Sequence, residues 1–176
     1  MGMKNPYVRL RELCGISQKA FAAEYGFGKM TMVYLESGMY TRVSDRQNIA
    51  LGKECGKKGV DAKRILDQEY GSSTLNEAFW KWRSHERREN APVVLAKAGS
   101  AFSSSGDVSP ISQLVSESTG SLQGFCKLLK VPSITVARYA KGETATMPSE
   151  LREALQEAGY PFITNLEVAQ EKWREQ

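Results

Sequence analysis

Histidine and cysteine are almost missing from this sequence: His85 is the single histidine, and Cys14, Cys55 and Cys126 stand far apart with no C-x-x-C pair. An odd, scattered set of thiols is neither a disulfide framework nor a zinc site, and His85 has no Cys, His or carboxylate partner at ligand spacing. No metal and no cofactor is expected, and the thiols read as core residues. Long apolar runs are missing too: the densest, Val93-Val94-Leu95-Ala96, is far too short to cross a bilayer. No N-terminal stretch has the order of a signal peptide, so the chain is expected in the cytoplasm with no membrane partner. Gly-rich phosphate loops, paired catalytic carboxylates and histidine-centred triads are absent, and no enzyme activity is expected. Nothing in the N-terminal part alternates with a strand period.

What is present is helical periodicity. The 176 residues, 41% hydrophobic, suffice for one ordinary domain or two small ones. Residues 7–70 read as short helices broken by glycine: Tyr7 to Cys14 stopped by Gly15, a second capped by Ser17, a turn at Gly26-Phe27-Gly28, a third from Lys29 to Glu36 ended by Ser37-Gly38, then Asp45 to Cys55 and Asp61 to Tyr70. A further helix fits Leu75 to Arg88. From Ala91 to Pro110 the composition turns to Ala, Ser, Gly and Pro, with Ser103-Ser104-Ser105-Gly106 at its centre, as in a flexible linker. Helical patterns then resume, with Gly159-Tyr160-Pro161 stopping one helix and Asn165 capping a last one that buries Leu166, Ala169 and Trp173.

The fold class implied is all-α: two small helix-turn-helix domains, residues 1–70 and 111–176, joined by a helix and flexible linker over 71–110. Charge is uneven between them. Residues 1–70 carry 12 Lys/Arg against 8 Asp/Glu, whereas residues 111–176 carry 7 against 8. The excess of positive charge therefore lies in the N-terminal part, where a phosphate-binding surface would need it.

A helix-turn-helix needs a small residue where its helices touch, a glycine in the turn, and apolar anchors on the second helix. Ala22, Gly26, and Phe27, Met32 and Leu35 supply these in turn. With Ser17-Gln18, Phe21-Ala22, Gly26, Thr31 and Leu35-Glu36-Ser37-Gly38, residues 7–60 resemble the lambda-repressor/Cro (Xre) family and, with it, phage immunity repressors. The resemblance implies binding to double-stranded operator DNA and repression of transcription in a bacterial host, close to the nucleoid. It implies that Gln18 contacts phosphate and that Lys29, Met30, Val33 and Tyr34 face the major groove. Lys29 suits guanine O6 or N7, Met30 and Val33 a thymine methyl, and Tyr34 a base edge or phosphate. Arg42 and Arg46 then position the domain on the backbone without specifying sequence.

A second copy of the pattern lies 104 residues on. Ser121 matches Ser17, Phe125 Phe21, Thr135 Thr31 and Gly142 Gly38, while Val131, Val136 and Tyr139 replace the anchors and Cys126 replaces Ala22. Its outward face is read as Ser133, Ile134, Ala137 and Arg138, with Lys141 beyond. Two departures stand out: Lys130 where the turn wants glycine, and Ala140 where the pattern closes with Glu. The two unlike readers suggest one chain spanning an asymmetric operator. A second possibility is an antitoxin or adaptor, in which the C-terminal half holds a protein. Residues 75–88 and the C-terminal helices are the candidate surfaces for a homodimer or protein partner. Ala98-Gly99 resembles the scissile bond of self-cleaving repressors, but the helical patterns after Gly106 leave no place for the β-rich domain that cleavage requires.

Overall fold

In the computed structural model, which describes residues 3–95, 98, 102 and 106–176, every regular element is a helix and the described residues contain no strand. The protein is all-α. No helix among the described residues is long and apolar enough to cross a membrane. Ser103, Ser104 and Ser105 of the expected linker, and Gly99 of the Ala98-Gly99 pair, lie outside the described residues.

Two units divide the chain, Met1–His85 and Glu86–Gln176. The first holds α1 (Pro6–Leu13), α2 (Gln18–Tyr25), α3 (Lys29–Ser37), α4 (Asp45–Lys58) and α5 (Ala62–Tyr70), and ends in the first half of α6 (Leu75–Leu95). Polar side chains start its helices by accepting backbone N–H bonds that a first turn leaves open. Asn5 Oδ1 takes Tyr7 N at 2.9 Å, Ser17 Oγ takes Ala20 N at 3.2 Å, and Ser44 and Gln47 form a reciprocal capping box. Tyr7, Leu10, Phe21, Met32, Leu35 and Leu51 fill the core, none more than 1% exposed. Burying each such side chain is worth about 1.5–3 kcal/mol.

The second unit holds the rest of α6, then α7 (Pro110–Thr119), α8 (Leu122–Leu129), α9 (Ser133–Ala140), α10 (Ser149–Glu157) and α11 (Ile163–Arg174). Helix α4 runs to Lys58, three residues past the expected Cys55, and two further boundaries also differ from the sequence expectation. Helix α6 continues past Arg88 through Pro92 to Leu95, because Ala91 and Leu95 still have a core to enter and are 0% and 2% exposed. Helix α11 begins at Ile163, ahead of Asn165. Its entry is set by packing instead of a cap: Ile163 is buried, and the Tyr160 ring meets Phe162 edge-on at 5.9 Å.

The internal repeat extends well beyond the motif that revealed it. Helices α1 to α4 start at Pro6, Gln18, Lys29 and Asp45, and α7 to α10 start at Pro110, Leu122, Ser133 and Ser149, so one offset serves all four pairs. Leu10 and Leu114, Phe21 and Phe125, Met32 and Val136, Leu35 and Tyr139, and Leu51 and Leu155 are buried pairs at that offset. Backbone wiring is shared where side chains differ. In the first unit Asn5 bridges helices, its Oδ1 accepting from Tyr7 N and its Nδ2 donating to Leu35 O at 3.1 Å. In the second unit the equivalent atoms, Ile111 N and Tyr139 O, are bridged at 3.2 and 2.9 Å by Gln170, which comes from α11.

Candidate nucleic-acid interface

Helix α3 separates two kinds of side chain. Met32 and Leu35 point into the core, fully buried, while Met30 and Val33 are 50% and 36% exposed and Lys29 is exposed beside them. Leaving two large apolar residues in water next to a cation costs hydrophobic stabilisation, so this face is poorly explained by solubility alone. Tyr34 is half-buried, its ring edge-on to Tyr40 at 6.1 Å, which fixes the phenol's direction. Gly28 precedes α3 and offers no side-chain cap, whereas α1, α2, α4 and α5 are each capped by one. The first N–H groups of α3 therefore remain for water or for an acceptor from outside.

The turn before α3 is held from α4. Gly26 sits at φ +66°, ψ 39°, and Arg46 Nη2 donates to the carbonyls of Tyr25 and Gly26 at 3.0 and 3.1 Å while its guanidinium lies 5.0 Å over the Phe27 ring. Arg46 is thus a fastener of the turn, exposed but with one nitrogen already engaged. The loop after α3 is held from α6. Val43 N donates to Asn76 Oδ1 at 2.7 Å and Arg83 Nη1 donates to Thr41 O at 3.2 Å, bracing the backbone on either side of the exposed Arg42. Asn76 and Arg83 escape sequence reasoning because they lie 33 and 42 residues from what they hold.

Glu36 pairs with Arg11, and Glu24 with Lys57, whose ammonium is held above its usual pKa by that carboxylate and by the Tyr25 hydroxyl. Lys19, Lys29 and Arg42 are exposed and make no ion pair among the described residues. Lys19, beside the half-buried Gln18 at the start of α2, extends the set that the motif suggested.

In the second unit α9 presents Ile134, 65% exposed, and an exposed Arg138, with Ser133 and Ala137 half-buried and Lys141 exposed beyond the helix. Arg138 Nε lies 3.4 Å from Glu143, an exposed pair of the kind worth about 0–1 kcal/mol. The turn before α9 repeats the first turn's design with other residues. Lys130 takes φ 53°, ψ 44°, and it is the one residue other than glycine with positive φ among those described. Its carbonyl and that of Leu129, the equivalents of Gly26 and Tyr25, accept from Arg87 Nη2 and Nε at 3.2 and 2.6 Å. Arg87 is buried and pairs with Glu157 at 2.8 Å.

Comparison with protein-family models, with curated proteins and with solved structures finds no match for this chain.

Proposed function

We propose that this chain is a sequence-specific binder of double-stranded DNA that occupies an operator and represses transcription, in the manner of phage immunity repressors. The observation that carries the reading is the exposed face of α3. Lys29, Met30 and Val33 stand outward with Tyr34 braced beside them, no acid lies between residues 29 and 34, and the flanking cations Lys19 and Arg42 make no ion pair among the described residues. A helix with that face, an open N-terminus and lateral cations has what major-groove docking uses: base contacts along the helix and phosphate contacts on both sides. The second unit adds α9, with Ser133, Ile134, Ala137, Arg138 and Lys141, as an unlike reader, so one chain spans a non-palindromic site. Selection of binding sites from random duplexes tests this directly. An asymmetric consensus supports it, and failure to enrich any sequence rejects it.

One observation favours a second reading for the C-terminal half, as an adaptor or antitoxin unit that holds a protein. Arg138 is already engaged by Glu143, and the most exposed residue of α9 is the apolar Ile134. Residues 1–85 binding DNA as selectively as the full chain, together with co-purification of a tightly bound protein, would favour that reading.

A further inference from the structure

The internal repeat makes an empty groove in the first unit conspicuous. Tyr25, Phe27, Arg46, Ile49, Ala50 and Lys53 line a groove of about 390 Å³ between the α2–α3 turn and α4. Ile49 is 59% exposed there, and Tyr25 and Phe27 are only half-buried. At the equivalent place in the second unit, Leu129, Val131 and Ala154 are fully buried. What reaches that place is α6: Arg87 lies on the carbonyls of Leu129 and Lys130 and pairs with Glu157, the equivalent of Lys53. The second unit thus has its groove covered by a helix that brings a cation to an acidic wall. In the first unit Arg46 secures the turn instead, and none of the described residues covers the basic walls.

We infer that this groove docks an amphipathic helix of a partner protein, presenting an apolar side chain to Ile49 and Phe27 and a carboxylate to Lys53 and Arg46. The charge follows from the repeat. Positions 46, 49 and 53 are Arg, Ile and Lys, whereas 150, 153 and 157 are all Glu, so a helix seated on the first unit must carry the sign opposite to Arg87. An apolar anchor in a pocket with flanking charges is also the ordinary form of helix-in-groove recognition. This inference does not depend on DNA binding.

Two labelled peptides covering residues 80–95 provide the probe, one with the native sequence and one carrying R87E, titrated into the full chain and followed by fluorescence anisotropy. The R87E peptide should bind about tenfold tighter than the native one, as expected for exchanging a repulsive for an attractive charge contact. The chain variant K53E should reverse that order, and I49E should abolish binding of the R87E peptide. Residues 49 and 53 are both exposed, so neither change threatens folding. Equal affinities, no binding of either peptide, a preference indifferent to K53E, or binding that survives I49E would each overturn the inference.

Discussion

Arg11 and Glu36 clasp each other in the first unit, Nε to Oε1 at 2.8 Å and Nη2 to Oε2 at 3.2 Å, and the equivalent positions of the second unit hold Val115 and Ala140. Both partners have gone together. The missing acid at the close of the second motif is therefore no defect, because the cation it would have served is missing as well. A buried ion pair and an apolar pair are interchangeable solutions at similar stability, whereas half a pair is not. Glu36→Ala alone should cost about 3 kcal/mol, since it strands Arg11 in a site where its side chain is only 9% exposed. Arg11→Val combined with Glu36→Ala should recover much of that loss in urea unfolding.

In the proposed complex with DNA, Lys29→Ala and Arg42→Ala should fail differently. Loss of Lys29 relaxes base preference by about 1–3 kcal/mol at one position. Loss of Arg42 weakens all sequences alike and lowers the log–log salt slope by about 0.9. Competition binding at several salt concentrations separates the two.

Asn76→Ala should imitate Arg42→Ala without touching a cation, because Asn76 fixes the loop backbone next to Arg42. The slope should fall in either single variant and no further in the double. An Asn76→Ala protein that melts earlier but keeps the wild-type slope would show that this hydrogen bond serves stability alone.

The two turn-fastening arginines differ in burial, and so in cost. Arg87→Ala removes a buried guanidinium from two carbonyls and from Glu157, a loss of about 3–5 kcal/mol. Arg46→Ala acts at an exposed site and should cost about 1 kcal/mol. Amide hydrogen exchange at Val131 and Phe27, the residues just past each turn, should report the contrast.

Alkali should weaken the fold through its thiols. Burial pushes Cys55 and Cys126 up to about 12 and raises Cys14, which lies 3.6 Å from Cys55, Sγ to Sγ. A thiol that ionises more easily unfolded than folded contributes stability that is complete below its unfolded pKa of about 8.5 and is lost as pH rises towards the folded value. The melting temperature should therefore decline between pH 8.5 and 12. Cys126→Ala, which installs the residue found at the equivalent position 22, should flatten part of that decline.

The sequence showed the repeat only where chemistry forces particular residues, between Ser17 and Gly38 and between Ser121 and Gly142. Lys130 illustrates why. The backbone there is left-handed, as at Gly26 in the first unit, and a lysine accepts a strain of about 1 kcal/mol to keep it so. Elsewhere the shared features are backbone atoms, and their partners come from unrelated places: Asn5 or Gln170 for one pair, Arg46 or Arg87 for another. A residue-by-residue comparison cannot register an identical carbonyl served by a different donor. The exposed face of α3 was legible because the family resemblance singled out Lys29, Met30 and Val33, and helical spacing turns them away from the anchors Met32 and Leu35. The bracing of Arg42 was not, because it depends on a helix that begins more than thirty residues later.

The different origins of the two amide bridges give the units different histories during synthesis. Asn5, Tyr7 and Leu35 all leave the ribosome before α4 is made, so the first unit can tie α1 to α3 while its later helices are still being made. The second unit has Ile111 and Tyr139 waiting for Gln170, and its bridge closes only once α11 has emerged. Its bridge thus joins residues 59 apart where that of the first unit joins residues 30 apart, and such a longer loop closes more slowly. A chain truncated after residue 160 should resist protease across α1–α5 while α7–α9 remain open to cleavage.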